Sequence, residues 1–283
     1  MSFFIGPHEI AIPAVLAPMS GVTDLPFRRQ AQRFGAGMVV SEMVASDALA
    51  RGRIDMVRKA AADASLAPRV IQLAGRQATL AAVSIPVTLK MRLGWDHDCL
   101  NAPELARRAV DAGVAMITVH GRTRQQFYTG QADWSAVRAV REAVQVPLLV
   151  NGDIATLAQA SEALTLSGAD GVMVGRAAQG RPWLVGEIGA GLITGTMPDT
   201  PWAAKVAAVM EQSAEAYDFY GEALGVRMMR KHFASFLEFD GGHIAPEELT
   251  VIREVLCRSR EPAAIHDALH RLLAHEPGRR IAA

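Results

Sequence analysis

Seven short apolar runs recur through the first two thirds of the chain, and nothing else in the sequence restricts the fold as strongly. They are Ala14 to Ala17, Met38 to Val40, Val70 to Leu73, Val87 to Leu89, Met116 to Val119, Leu148 to Val150 and Gly171 to Val174. Each is apolar at nearly every consecutive position rather than at alternate ones. Strands buried on both faces have that pattern, and a parallel sheet covered by helices makes such strands. Amphipathic segments lie between the runs, among them Ala102 to Ala112, Trp134 to Ala143 and Thr156 to Leu166. Gly113 and Gly168 follow two of these segments and read as helix stops.

Strand and helix alternating without change of style predict an α/β fold, with a TIM-like (β/α) barrel as the natural candidate. Eight strands would close it; with seven recognisable runs the barrel is expected to be incomplete. The rival is a doubly wound open sheet, but no Gly-x-Gly-x-x-Gly turn follows the first run. Towards the C-terminus the strand-like runs stop. Pro201 to Tyr217, Gly221 to Phe236, Pro246 to Arg258 and Pro262 to Leu273 read as helices, with prolines suited to first turns and a break at Gly241-Gly242. The predicted organisation is a barrel over 1–198, a small helical domain over 199–275 and a loose tail over 276–283.

Lysine plus arginine equals aspartate plus glutamate, 29 each, so any nucleic-acid surface must be local. Cys99 and Cys257 are far apart in sequence, which argues against a disulfide framework and for a reducing compartment. The opening "MSFFIGPHEIAIP" lacks the basic-then-apolar pattern of a signal peptide, and no unbroken apolar run is long enough to span a membrane. A cytoplasmic protein without membrane or metal partners is expected.

In a barrel the chemistry sits at the carboxyl ends of the strands. Those ends read Pro18-Met19-Ser20, Ser41-Glu42-Met43, Gln72, Lys90 with Arg92, His120-Gly121-Arg122, Asn151-Gly152-Asp153 and Gly175-Arg176. Glycines that admit close backbone approach, amides that point at an anion and an arginine for a charge-assisted contact suit a phosphate at "NGDI" and "GRAAQGRPW". Tight turns that happen to hold glycine are the plainer reading. Lys90 is the only lysine within a predicted strand, and a buried ammonium needs an anion or several acceptors. A flavin would supply one, because its N1–C2=O edge gains negative charge on reduction; an ion pair with Glu42 would supply another. Gln72 could serve the same ring or a backbone amide. His120 could be an acid/base group, an anion contact or a core histidine. The loop "HGRTRQQFYTGQADW" mixes Arg122 and Arg124 with Phe127 and Tyr128, which suits nucleobase stacking and phosphate contact, or a lid. Arg227, Arg230, Lys231 and His232 nearly share a helix face and could grip RNA phosphates, or be a solvated face.

Taken in order, "APMSGVTDLPFR", "SEMVAS", "IQLAG", "VTLKMRLGW", "HGRTRQQFYTG", "NGDI" and "VGRAAQGRPW" resemble the tRNA-dihydrouridine synthases, in particular their bacterial B-type branch. "RMMRKH" and "FLEF" resemble the RNA-binding helical domain of that family. The resemblance implies a barrel holding flavin mononucleotide (FMN), reduced by NADPH, that delivers hydride to C6 of a uridine in tRNA. Pro18, Met19 and Ser20 would then pack at the flavin, Gln72 and Lys90 would contact its ring, and His120 would lie near it. Asn151, Gly152, Asp153, Gly175 and Arg176 would hold the phosphate and ribityl end.

One departure from the family is conspicuous. Family members carry a further strand between "QLAG" and "TLKMR", ending in "N-M-G-C-P", whose cysteine protonates C5 of the uracil. Here "GRQATLAAVSIP" joins the flanking strands directly, near the minimum length of a βαβ crossover. A deleted strand-helix unit should leave apolar surface and strand edges exposed. Low stability, self-association or dependence on flavin would follow. Cys99, in "WDHDCLN" beside Asp96, His97 and Asp98, is a candidate replacement acid; an ordinary loop thiol is the plainer reading, and Cys257 reads as core. Three functions compete: an FMN-dependent tRNA-uridine reductase with impaired activity, a non-catalytic homologue that still binds flavin or tRNA, and a flavin oxidoreductase for a small molecule.

Overall fold

The computed structural model describes residues 2–74 and 84–275. Most of the expected short crossover and the expected loose tail at 276–283 lie outside the described residues. The chain opens with an antiparallel hairpin that no periodicity announced, β1 (Phe3–Ile5) and β2 (His8–Ile10). Three-residue strands are too short to show a period.

The apolar runs then form strands as their pattern requires. β3 (Ala14–Leu16) and β4 (Met38–Val39) are followed by β5 (Val44–Ala45) and β6 (Leu73–Ala74). Next come β7 (Thr88–Arg92), β8 (Met116–His120), β9 (Leu148–Asn151) and β10 (Gly171–Val174). A parallel six-stranded sheet runs in the order β4-β3-β10-β9-β8-β7. The first long run therefore pairs with the last, which is how a barrel closes and how a doubly wound sheet does not. Val40 bridges Val70 in parallel, and β5 pairs with β6, so the run at 70–74 continues the curl. Among the described residues, β7 has no strand partner on its far side. The fold is an incomplete TIM-like barrel followed by helices.

Side-chain alternation sorts each run into two cores. Leu16, Val39, Ile117, Val119, Val150 and Val172 face outward against five helices. These are α1 (Leu25–Arg33), α4 (Ala102–Asp111), α5 (Arg138–Ala143), α6 (Leu157–Ser167) and α7 (Leu184–Thr194); the short α2 (Ser46–Ala50) and α3 (Ile54–Ala60) precede α4. Val15, Met38, Val40, Met116, Leu149 and Met173 face inward, where Phe3, Ile5 and Ile10 of the hairpin join them as a plug. Burial on both faces is why the runs have no polar alternate. At the open side this fails: all five residues of β7 are only half-buried, whereas β9 and β10 are fully buried. Ile71, Leu73 and Ile85 are exposed there.

The C-terminal helices are α8 (Trp202–Tyr220), α9 (Glu222–Asp240), α10 (Pro246–Arg258) and α11 (Pro262–Leu272). They pack around a separate core of their own containing Trp202, Phe233, Phe236, Leu256 and Leu269. Pro246 and Pro262 occupy first-turn positions as expected, while α8 and α9 each run past their expected ends. The bundle docks on α1: Arg29 pairs with Glu215 at 2.8 Å, Arg33 pairs with Glu211, and the Tyr220 hydroxyl donates to Asp24 at 3.1 Å. Among the described residues no helix is long and apolar enough to cross a membrane.

Candidate cofactor cleft

At the carboxyl ends of the strands lies a cleft of about 430 Å³. Lys90 and Arg92 of β7, His120 of β8 and Asn151 of β9 come from the strand tips. The segments after β3, β9 and β10 supply the remaining walls, with Tyr128 and Phe239 also in the lining. Strand register produces this convergence. Arg92 pairs with His120, and His120 with Asn151, across one row, and Lys90 pairs with Thr118 two residues earlier. Equal parity sends all four side chains inward.

Of the predicted cofactor residues, Pro18, Met19, Lys90, His120, Asn151, Gly152, Asp153, Gly175 and Arg176 line the cleft. Ser20 and Gln72 do not. Ser20 is exposed on the loop after β3. Gln72 lies on the run beside the opening, where its amide donates to Ser41 Oγ and its carbonyl accepts from Val44 N, both at 2.9 Å.

Burial lowers the Lys90 pKa to about 8, with neighbouring Arg92 adding to the shift. Among the described residues no carboxylate lies within ion-pair distance of Lys90. The alternative pairing with Glu42 does not form; Glu42 is buried and accepts from the Gly21 amide. His120 is pushed down to about 3, first by burial and then by Lys90, Arg92 and Arg122, so it is neutral at pH 7. Arg122 Nη1 lies 3.3 Å from His120 Nε2. A guanidinium can only donate, so Nε2 accepts and the ring proton resides on Nδ1. Asn151 Nδ2 donates to the Met173 carbonyl at 2.8 Å, which fixes the amide.

Arg122 is not where an RNA contact would need it. It is 2% exposed and its donors are spent internally. Nε reaches the Thr129 carbonyl at 3.2 Å and Nη2 reaches the Gly130 carbonyl at 2.7 Å. The two terminal nitrogens grip Asp153 at 3.1 and 2.5 Å. Asp153 also accepts from the Ala132 amide at 2.9 Å and from Arg176 at 3.1 Å. Burial alone would raise the Asp153 carboxyl; Arg122, the Ala132 amide and Arg176 together bring it below its usual range. Asp153 therefore positions Arg176 and the loop rather than standing free for a ligand. Gly152, at φ 120°, must be glycine: a Cβ would lie 2.6 Å from Ala132 Cβ and 2.8 Å from His120 Cδ2.

With Arg122 turned in, the loop presents other groups outward. Arg92 Nη1 donates to the carbonyls of Thr123 and Phe127, both at 2.9 Å. Phe127 and Tyr128 meet edge to face at 4.5 Å, Arg124 lies over Phe127 at 5.5 Å, and Arg176 lies over Tyr128 at 5.1 Å. Both rings and Arg124 are exposed. On α9 the expected basic row turns from solvent into an interface. Arg227 is exposed, Arg230 donates to the Ser259 carbonyl at 3.2 Å near the end of α10, and Lys231 faces the Gly21 loop near Asp24 and Glu42. His232 is buried, 5.0 Å from the Phe27 ring. Of that row only Arg227 is fully exposed; Arg230 and Lys231 are half-buried.

Sequence reasoning missed Phe239, because the helix was expected to stop at Phe236; the quoted "FLEF" was the available signal. Neither Cys99, exposed on the loop after β7, nor Cys257 of α10 lines the cleft. Among the described residues no group of His, Cys, Asp and Glu could hold a metal ion.

Comparison with known proteins identifies the family behind this barrel and its cleft. The model for the family described as dihydrouridine synthase matches residues 15–82 and 77–253. The chain belongs to the dihydrouridine synthase family. A "Probable tRNA-dihydrouridine synthase" of Rhodobacter capsulatus is 42% identical over 305 residues, covering 89% of this chain and 92% of that protein. The tRNA-dihydrouridine synthase B of Xanthomonas axonopodis is 38% identical over 280 residues, covering 81% of this chain and 84% of that one. FabK from Thermotoga maritima is similar at a TM-score of 0.40 and 13% identity, over 60% of each chain. The 305 positions aligned with the Rhodobacter protein exceed the 283 residues of this whole chain, so that relative carries residues with no counterpart here. The two pieces of the family match meet at residues 77–82, in the connection leading to β7.

Proposed function

We propose that this chain binds FMN in the cleft and reduces specific uridines of tRNA to 5,6-dihydrouridine with NADPH as reductant, at a rate limited by proton delivery. The observation that carries the reading is Lys90: a half-buried ammonium in β7, two residues before the strand's end, with no carboxylate against it among the described residues and with Arg92 and Arg176 in the same cleft. Such a group calls for an anion. The cleft volume also falls in the range of cofactor sites, ~300–1,000 Å³. Bound flavin would supply the hydride for C6 of the uracil. Lys90 would hold the negative edge of the ring, Asn151 and neutral His120 would offer hydrogen bonds, and Arg176, oriented by Asp153, would meet the phosphate. The names of the relatives support tRNA as the substrate. Outward Arg124, Phe127 and Tyr128 suit a nucleobase and its phosphates, and the helical domain at 199–275 would carry further tRNA contact through Arg227. Such an enzyme would work in the cytoplasm.

The break in the family match and the absence of a thiol from the cleft support the loss of the family's general-acid cysteine. A general acid contributes about 10²- to 10⁴-fold to a rate. Incubation of this protein with FMN, NADPH and unmodified tRNA, followed by mass-spectrometric nucleoside analysis, should therefore show dihydrouridine forming at least ~100-fold more slowly than with a B-type relative. No dihydrouridine at all from a flavin-loaded protein would favour the second reading, a non-catalytic homologue. Formation at the relative's full rate would refute the impaired proton supply.

A further inference from the structure

The helical bundle belongs to the cofactor site. We infer that Phe239 of α9 closes the phosphate end of the cleft, as an aromatic wall beside the phosphate. This rests on the reading of the cleft as a flavin site and adds to it a residue from the second half of the chain.

Phe239 lines the same cleft as Asp153, Gly175 and Arg176, yet it is 55% exposed. A large ring beside a polar cavity, outside all three cores, has no packing role that accounts for it. Its position is nonetheless held. The Arg181 guanidinium lies 5.4 Å from the ring centre, and Arg181 Nε is 2.9 Å from Asp240 Oδ2. Asp240, 6% exposed, also receives Lys205 at 2.9 Å. The segment that carries Gly175 and Arg176 onward is tied to the same helix. Gln179 Nε2 donates to Ser235 Oγ at 2.9 Å and to the Lys231 carbonyl at 3.2 Å, and the Gly180 amide donates to His232 Nδ1 at 3.3 Å. Gly180 has φ 71°, and a Cβ there would overlap the His232 carbonyl oxygen. The loop after β10 and helix α9 thus form one braced unit, with Arg176 on one part and Phe239 on the other. A ring at that place keeps water from a phosphate ester and strengthens its contact with Arg176.

The test is FMN and riboflavin affinity, read by quenching of flavin fluorescence, for the wild type, Phe239→Ala and Phe239→Glu. Alanine removes the ring and is a better helix former, so the fold is retained. It should weaken FMN binding about tenfold, the scale of one aromatic contact. Glutamate adds repulsion against a phosphate and should weaken FMN further, while riboflavin, which lacks the phosphate, changes much less in both variants. Equal FMN affinity in wild type and both variants would overturn the inference and leave the flavin site standing. Equal losses for FMN and riboflavin would also overturn the assignment to the phosphate end. A wild type that binds no FMN would overturn the underlying reading itself.

Discussion

If the cleft holds FMN as proposed, Lys90→Met should weaken FMN binding by about 10- to 100-fold and abolish its dependence on alkaline pH. The magnitude follows from a charge-assisted hydrogen bond, ~1.5–3 kcal/mol. The pH dependence follows from the Lys90 pKa of about 8 in the free protein. A ring edge whose N1 and C2 carbonyl oxygen accept hydrogen bonds from the ammonium favours its charged form and raises that pKa, so binding above pH 8 must take up a proton. Affinity is level below pH 8 and falls as pH rises above it, until the higher pKa of the complex is reached. Stability of the ligand-free protein moves the other way. The Lys90 pKa in the fold lies below its ordinary value of 10.5, so the unfolded chain binds more protons between those two values. The contribution of Lys90 to stability therefore rises with pH through that window. Methionine removes the burden altogether, so the ligand-free variant melts no lower than the wild type at pH 7. Fluorescence titration from pH 7 to 10 and thermal melting without flavin check both halves. A variant that loses affinity because it has misfolded would instead melt early. A variant that keeps both its affinity and its alkaline fall-off would remove Lys90 from the site.

Arg122→Met should be the most destabilising change in the cleft loop. Its guanidinium is buried against Asp153, and it also satisfies the carbonyls of Thr129 and Gly130. Removal leaves Asp153 with Arg176 as its remaining cation and two carbonyls short of a donor. Breaking a buried pair from one side costs about 3–5 kcal/mol. For a chain of this size that lowers the melting midpoint by on the order of 10 °C. Arg124→Met, two residues on and exposed, should change the stability by less than ~0.5 kcal/mol while weakening tRNA binding. Melting curves and tRNA filter binding for the two variants therefore diverge in opposite directions. Similar small melting shifts for both would mean that Arg122 is not the clamp.

The contrast between those two arginines shows what could be read from the chain in advance. Strand positions were legible because burial on two faces leaves no polar alternate from Leu148 to Val150 or from Gly171 to Val174. The tips were legible because polar residues such as Lys90, His120 and Asn151 follow at the same parity on neighbouring strands. The direction in which a loop arginine points was not. Arg122 and Arg124 share one loop, and Asp153, 31 residues away in the chain, together with the Thr129 and Gly130 carbonyls turns the first inward. The surroundings of Arg230 and Lys231 were hidden for the same reason, since a helix face gives no sign of whether another helix or solvent will meet it. Phe239 was hidden by a helix end set too early, and the β1–β2 plug by strands shorter than their own period.

The central claim is that the inner strand tips converge on one flavin, and a crystal structure of the protein grown with FMN tests it most directly. The account predicts a single flavin in the cleft, its ring edge against Lys90 and its phosphate beside Arg176 and Gly175. Flavin density elsewhere on the molecule, or a ring bound out of reach of Lys90, would contradict it.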